Sequence, residues 1–269
     1  MSLARTELAE LAALAGETAA EAGAMLLEGL HRPKSVELKG EVDLVTEYDR
    51  RAEDLIGARL AARTPGFTLI GEEGAPDVAA ADAPAWIVDP LDGTTNYSHG
   101  HPCFAVSIGL EHRGALLVGA IAIPALDELL TAHAGGGATC NGQPIRVSAT
   151  AELDRSLVAT GFPYDRRRVD DDNSRELVAF MKRSQGVRRC GAAAVDLALV
   201  ARGVYDGFWE PRLHPWDLAA GAVLVREAGG RVTDYGGAEL DIRAGWVVAS
   251  NGSIHSRMLE VIEGVRTAL

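Results

Sequence analysis

The sequence has few cysteines and lacks the long apolar runs that mark membrane proteins. Its three cysteines, Cys103, Cys140 and Cys190, are widely spaced and form no CxxC pair. This excludes a disulfide framework or a zinc cluster and favours a reduced, cytoplasmic protein. The longest apolar run, from Leu116 to Leu126, is shorter than the roughly 18 residues that a membrane span needs. We therefore expect no membrane partner.

Positive charge is also scarce, since 26 Lys and Arg residues face 38 Asp and Glu residues and the formal net charge is -12. Such a surface repels nucleic-acid backbones, so no nucleic-acid partner is expected. It would also repel an anionic small molecule unless some of the acids bind cations. The 269 residues, 47% of them hydrophobic, suffice for one large core or two tightly joined subdomains.

Hydrophobic patterns predict alternating helices and strands. Residues 3–30 are typical of an amphipathic helix, and a second helix is predicted to begin at Thr46, whose hydroxyl can cap it. Strands are predicted at 67–71, 85–89, 104–111, 114–123, 156–161, 205–209 and 246–250, with a hairpin turn at Asn141-Gly142. Further helices are predicted to begin near Asp172, Gly191, Trp216 and Ser253.

The interleaving of helices and strands predicts an α/β layered fold with a soft internal boundary near residue 150. The N-terminal α+β subdomain, residues 1–150, contains most of the candidate metal ligands. The C-terminal α/β subdomain, residues 151–269, contains Asp217 and candidate substrate contacts. The two are expected to be tightly joined and to act as one unit.

The most informative segment is WIVDPLDGTTNYSHG, residues 86–100. An apolar strand ends at Asp89 before a chain reversal at Pro90, and Asp92 follows three residues after Asp89. Two carboxylates this close repel each other unless a hard cation such as Mg²⁺ binds them. The Gly93-Thr94 amides can form a small anion-binding nest. A bare DPxDG can equally be a surface turn, since its residues are turn formers.

Other acids change that balance. Glu72 and Glu73 end an apolar strand, and Asp217 lies at a predicted helix start. Lys39, Asp43 and Asp49 lie just before and within the second helix. Each has a simple explanation by itself, as a solvated strand end, a helix cap or a surface charge. Together these residues supply the ligands of a multi-metal site.

The motifs LIGEEG (69–74), WIVDPLDGTTNY (86–97) and PWDLAAG (215–221) resemble, in this order, signatures of the inositol monophosphatase family. Its members are lithium-sensitive, magnesium-dependent phosphatases. The likeness extends to LKGEVDLVTEYD (38–49), CGAAAVDLA (190–198), FWEPRLHPWD (208–217) and VREAGG (225–230). The resemblance implies an α-β-α-β-α sandwich of the sugar-phosphatase type with mixed sheets, a homodimer, and two or three Mg²⁺ ions that serve a small phosphorylated metabolite.

The resemblance also implies a set of metal ligands. Glu72, Asp89 and the carbonyl of Leu91 would hold a first Mg²⁺. Asp89, Asp92 and Asp217 would hold a second, and Glu72 with waters a third. Glu72 would thus also be a catalytic residue, and Asp92 and Asp217 would border the substrate.

Further roles follow from the same resemblance. Thr94, with Asp49 behind it, would orient the attacking water, and the amides of Gly93 and Thr94 would hold the phosphate. The alcohol portion of the substrate would meet Glu210 and the Gly191-Ala192-Ala193 helix start. Lys39 would offset negative charge near the site.

These assignments predict hydrolysis of a phosphate monoester by in-line attack of a metal-activated water. The favoured substrate is myo-inositol 1-phosphate. Ala192 stands where the better-known animal enzymes carry Thr, so one hydroxyl contact with the substrate is missing. Histidinol-phosphate phosphatase and fructose-1,6-bisphosphatase remain alternatives on the same site. A regulatory binding protein remains the alternative from another class.

Overall fold

The computed structural model describes residues 3–32, 34–38, 44–74 and 83–267, so Lys39 and Asp43 lie outside the described residues. Its helices are α1 (Arg5–Gly29), α2 (Glu47–Arg63), α3 (Thr94–Ser98), α4 (Ser174–Met181), α5 (Ala193–Ala201), α6 (Pro215–Glu227) and α7 (His255–Arg266). None of these helices has the length and apolar character that crossing a bilayer requires.

Three sheets contain the strands of the described chain. A short hairpin pairs β1 (Val36–Leu38) with β2 (Leu44–Thr46). The large sheet contains β3 (Thr68–Gly71), β4 (Ala85–Asp92), β5 (Ala105–His112), β6 (Ala115–Ile123), β7 (Glu128–His133), β8 (Gly137–Cys140) and β9 (Gln143–Pro144) in this spatial order. The second sheet has the order β11-β10-β12-β14-β13, from β10 (Leu157–Thr160), β11 (Gly186–Arg188), β12 (Gly207–Glu210), β13 (Arg231–Thr233) and β14 (Val247–Ser250).

Helices and sheets alternate in five layers. Helices α1 and α2 cover one face of the large sheet, and α5 and α6 lie between the two sheets. Helices α4 and α7 cover the outer face of the second sheet. Both sheets are mixed, because β3 runs parallel to β4 and β10 runs parallel to β11 and β12. The predicted α-β-α-β-α sandwich is confirmed.

Strand β4 is buried along its whole length because helical layers cover both faces of the sheet. This explains its nearly continuous apolar sequence before Asp89. The pairing of β4 with β5 is regular up to Asp89 and shifts register before Asp92. Pro90 lies in this irregular stretch, where a missing backbone N–H does not break a ladder hydrogen bond. The bulge therefore re-aims the end of the strand, as bulges beside active sites do.

Helix α6 lies very close to the large sheet because two strand positions lack a side chain. A Cβ on Gly109 would stand 2.6 Å from Ala219 Cβ, and one on Gly119 would overlap the backbone of Ala220. Small residues on both sides thus allow the helix axis to approach the sheet. This approach carries Asp217, in the first turn of α6, toward the end of β4.

Most predicted elements are confirmed, with shifts of one to three residues at their ends. The Thr46 cap is confirmed: Thr46 Oγ1 accepts from Tyr48 N–H at 3.1 Å, and Asp49 Oδ2 accepts from Thr46 N–H at 2.8 Å. The strands β1, β2, β7, β11 and β13 were not predicted. The subdivision at residue 150 stays a prediction, since α5 and α6 pack against both sheets.

Candidate active site

The end of β4 brings two of the predicted carboxylates together. Asp89 and Asp92 flank the bulge, and Leu91 N–H donates to Asp89 Oδ1 at 3.0 Å. Asp92 Oδ2 accepts from Ala194 N–H at 2.7 Å, which joins the strand end to the first turn of α5. Gly93 follows with a φ of 87°, a left-handed conformation that suits glycine. The chain can therefore turn sharply into α3.

Asp217 comes from α6, whose N-cap is His214 and whose first residue is Pro215. Its Oδ2 accepts from His214 N–H at 2.7 Å, so the prediction of an acid at a helix start is confirmed. One carboxylate oxygen from each of Asp89, Asp92 and Asp217 lies within 4.8 Å of the others. We call these three residues the acid trio.

Burial and mutual repulsion make the acid trio costly as bare carboxylates. Burial raises the pKa of Asp89 well above its ordinary value, and the charges of Glu72, Asp92 and Asp217 raise it further. Burial likewise raises the pKa of Asp217, and Asp92 adds to it. Burial raises the pKa of Asp92 to about 6, although the amides at the start of α5 oppose this. A hard divalent cation fits these ligands because its charge offsets the repulsion and it prefers oxygen.

Glu72 belongs to the same cavity but not to the acid trio. It follows β3, is half-buried, and lines a cavity of about 120 Å³ together with the acid trio, Leu91 and Thr94. Its charge contributes to the raised pKa of Asp89 and of Asp217. The predicted ligand set thus shares one cavity wall.

Thr94 and Asp49 form a buried pair beside the acid trio. Thr94 Oγ1 lies 2.9 Å from Asp49 Oδ1 and 3.0 Å from the carbonyl oxygen of Leu91, and both can accept its one proton. Asp49 Oδ2 in turn accepts from the hydroxyl of Thr46 at 2.6 Å. Burial raises the pKa of Asp49, while the hydrogen bonds from Thr46 and Thr94 lower it. The proton of Thr94 is therefore donated to one of these two acceptors, which leaves lone pairs of Oγ1 free to accept.

A wider cavity of about 360 Å³ adjoins the first and shares Asp92, Gly93, Thr94 and Asp217 with it. Glu210, at the end of β12, and residues 191–193, at the start of α5, line this cavity. Burial raises the pKa of Glu210 to about 8, and Arg189 opposes this shift. A Cβ on Gly161 would overlap the Glu210 carboxylate, so a larger residue there would displace that carboxylate.

Comparisons with known proteins identify the family. The family model described as the inositol monophosphatase family matches residues 7–267. An inositol-1-monophosphatase from Synechocystis sp. is 43% identical over 251 residues, which are 93% of this chain and 87% of the relative. The chain belongs to the inositol monophosphatase family. The predicted class, a phosphoric monoester hydrolase, is thereby confirmed.

Two further relatives agree with this assignment to the inositol monophosphatase family. The structure of an inositol monophosphatase from Anabaena (Nostoc) sp. matches with a TM-score of 0.87 at 42% identity, and the match covers 96% of each chain. The Nus factor SuhB of Pseudomonas aeruginosa is 40% identical over 256 residues, which are 93% of this chain and 94% of the relative. The similar proteins therefore include relatives named as phosphatases and a relative named as a Nus factor.

The structure brings together almost every site residue that the sequence predicted for a member of the inositol monophosphatase family. Lys39 lies outside the described residues. Sequence reasoning missed Gly161, Tyr164 and Arg189, which line the wider cavity. It also left Trp216 out of the site, although its ring lies 4.8 Å from the His214 ring and both line the smaller cavity. Only Trp216, next to Asp217, had a signal in the sequence.

Proposed function

We propose that this protein is a magnesium-dependent phosphatase that hydrolyses myo-inositol 1-phosphate to inositol and phosphate. The observation that supports this most is the acid trio, whose carboxylate oxygens lie within 4.8 Å of one another at a buried site. Mutual repulsion makes this arrangement unfavourable for folding. Cations held by these carboxylates would offset the repulsion and would let the site bind a phosphate despite the acidic surface.

The ligands of each ion are those that the family resemblance implies. Asp89, Asp92 and Asp217 would hold one Mg²⁺, and Asp89, Glu72 and the carbonyl of Leu91 a second. Glu72 with waters would hold a third. When bound, these ions neutralise the phosphate, lower the pKa of a water and stabilise the departing alcohol oxygen.

Thr94 positions the attacking water. Its hydroxyl proton points toward Asp49 or the Leu91 carbonyl, so its oxygen lone pairs are available to accept a hydrogen bond from a water in the cavity. Asp49 holds this orientation through its own bonds to the backbone and hydroxyl of Thr46. The amides of Gly93 and Thr94 bind phosphate oxygens at the turn that the positive φ of Gly93 creates.

Glu210 recognises the alcohol portion. Because burial raises its pKa to about 8, a large share of the side chain is protonated near neutral pH and can both donate to and accept from hydroxyls. A neutral acid beside Arg189 is a poor partner for an ammonium group. This favours a polyol over histidinol phosphate, because the positive charge of Arg189 would repel the ammonium group of histidinol phosphate.

A steady-state assay of phosphate release from myo-inositol 1-phosphate, with MgCl2 and then with EDTA, tests the proposal. We expect release with magnesium and none with EDTA. Asp89→Asn should abolish release, because it removes a charge shared by two predicted ions. Asp196→Asn is a matched control: Asp196 is equally buried, and burial raises its pKa well above the ordinary value, so asparagine resembles its neutral form. Equal activity of the two variants would refute the ligand assignment.

A second role in transcription is suggested by the relative named Nus factor SuhB. The intact acid trio favours hydrolysis as the primary activity, with any such role added to it. The homodimer and the lithium sensitivity implied by the family resemblance stay predictions.

A further inference from the structure

Two of the cysteines lie together beside the candidate active site. Cys103 precedes β5 and Cys190 precedes α5, and both are partly buried free thiols that pack against the same apolar core. One side chain holds their backbones together, because Asn96 Nδ2 donates to the carbonyl oxygen of Cys103 at 2.7 Å and to that of Cys190 at 2.9 Å. The two cysteines are therefore close neighbours although they are distant in the sequence.

The two thiols of this pair differ in how readily they lose a proton. A hydrogen bond with Cys103 is the main cause that lowers the pKa of the Cys190 thiol, although burial opposes it. The same hydrogen bond, together with burial, raises the pKa of Cys103. Cys190 Sγ also lies 3.2 Å from the hydroxyl oxygen of Tyr205, which can donate to a thiolate. This favours the thiolate at Cys190, and the thiolate is the form of cysteine that reacts with oxidants.

The cysteine pair lies directly behind the turn that would bind the phosphate. A Cβ on Gly93 would stand 2.9 Å from the carbonyl oxygen of Cys103 and 3.1 Å from Ala192 Cβ, so the turn is closely packed against both cysteine segments. Gly191 lines the wider cavity and follows Cys190 directly. A movement of the backbone at either cysteine would therefore reach residues of the site.

We propose that Cys103 and Cys190 form an oxidation site at which a peroxide produces a disulfide, and that this disulfide lowers the phosphatase activity. The effect on activity rests on the proposed phosphatase function, whereas the formation of the disulfide does not. Both cysteines belong to one chain, so the disulfide forms within it.

The reaction consumes one molecule of hydrogen peroxide. The Cys190 thiolate attacks a peroxide oxygen and the O–O bond breaks, so that Cys190 becomes a sulfenic acid and the departing hydroxide takes up a proton to form water. The Cys103 thiol then attacks the oxidised sulfur, the S–O bond breaks, and a second water leaves with the thiol proton. The two sulfurs together lose two electrons, which reduce the peroxide to two waters.

The disulfide should disturb the site because its two sulfur atoms must come to about 2 Å from each other, closer than two thiols in contact. The backbone at Cys103 or Cys190 has to adjust, and the close packing at Gly93 transmits the movement to the turn. A displacement of about 1 Å in an active site can lower turnover about a hundredfold. Since both side chains are partly exposed, a small dithiol can reduce the disulfide again.

Peptide mapping of the protein after treatment with hydrogen peroxide tests the oxidation site. Free thiols are blocked with N-ethylmaleimide, and the protein is digested without a reductant. We expect the peptides that contain Cys103 and Cys190 to be linked within one chain, while Cys140 is alkylated. At the same time kcat/KM for myo-inositol 1-phosphate should fall at least about tenfold and return after dithiothreitol is added.

Three variants, each compared with its own reduced form, locate the effect. Cys190→Ser should form no linked peptides and keep its activity in peroxide. Cys103→Ser should accumulate a sulfenic acid at Cys190, which dimedone traps, because the thiol that resolves it is missing. Cys140→Ser is the matched control and should respond like the wild type, because Cys140 is another partly buried free thiol, in β8, and the strands β5, β6 and β7 separate it from β4.

The outcomes separate this inference from the proposed function. A wild-type map without linked Cys103 and Cys190 peptides would overturn the inference, and so would an equal loss of activity in Cys190→Ser. Linked peptides with an unchanged kcat/KM would overturn the proposed effect on activity. Absence of turnover in the reduced wild type would instead overturn the phosphatase proposal, and the map would still decide whether the pair is an oxidation site.

Discussion

Two buried polar regions of this molecule differ in whether their side chains attract or repel one another. Around Asn173 the side-chain groups are satisfied: Nδ2 donates to Thr160 Oγ1 at 2.8 Å and to the Gly161 carbonyl at 2.7 Å, and Oδ1 accepts from Trp209 Nε1 at 2.9 Å. Around Asp89 the neighbouring side chains are carboxylates that repel it. A fully hydrogen-bonded network stabilises one arrangement of the core. Carboxylates that repel one another destabilise the fold, and a bound cation removes this repulsion.

The two regions meet at one residue. Gly161 accepts the hydrogen bond from Asn173 and also lies against the Glu210 carboxylate in the wider cavity. The satisfied network therefore supports the wall on which the substrate would lie. Substitutions should distinguish the two regions. A change near Asn173 should lower the stability of the protein, and a change near Asp89 should lower its activity.

The largest effect is expected for Asp217→Asn. Phosphate release should fall roughly a thousandfold, about 4 kcal/mol of transition-state stabilisation, because a metal ligand loses its charge. A hundredfold excess of MgCl2 over Kd should stabilise the wild type by about 3 kcal/mol, which should appear as a higher melting temperature. The variant should be stabilised less, because only the ions assigned to Glu72 and Asp89 remain. In EDTA the variant should be at least as stable as the wild type. Equal stabilisation of both proteins by magnesium would contradict the comparison.

Asn173→Ala should mainly affect stability. The change removes three hydrogen bonds and leaves Trp209 Nε1 buried without its acceptor, so the free energy of unfolding should fall by about 3 kcal/mol. Urea denaturation measures this. Ser174→Ala, at the exposed neighbouring position, should change it by less than about 0.5 kcal/mol. If Asn173→Ala kept wild-type stability, this network would not be the stabilising element.

His255 links stability to pH. Its two ring nitrogens lie 2.9 Å from Thr233 Oγ1 and from Ser250 Oγ, and burial lowers its pKa from 6.5 to about 4. Between these values the unfolded chain binds more protons, so stability is lost as the pH falls from 6.5 toward 4. The loss should amount to about 2 to 3 kcal/mol. In His255→Gln this part of the pH dependence, measured by denaturation at several pH values, should disappear.

Gly161→Ala should give the smallest effect. The added methyl group would displace the Glu210 carboxylate, so KM for myo-inositol 1-phosphate should rise about tenfold, or about 1.4 kcal/mol, with little change in kcat. Gly264→Ala, in α7 with open space around it, is the control and should leave KM unchanged. An unchanged KM in Gly161→Ala would show that Glu210 does not contribute to substrate binding.

Local signals in the sequence predicted the elements with strong periodicity and the acids that end them. Thr46 with Asp49, and Pro215 with Asp217, are local patterns that mark helix starts, so they could be found without a structure. Strands β11 and β13 have three residues each, too few to show a period. Arg189 and Gly161 could not be found because their roles depend on neighbours that are distant in the sequence.

The empty positions at Gly109 and Gly119 determine more than how tightly α6 packs. Because Asp217 belongs to this helix and Asp89 to the sheet beneath it, the helix-to-sheet separation also sets the distance between their two carboxylates, whose oxygens lie within 4.8 Å of each other. Two missing methyl groups in the middle of a sheet thus act as a spacer for the candidate metal site.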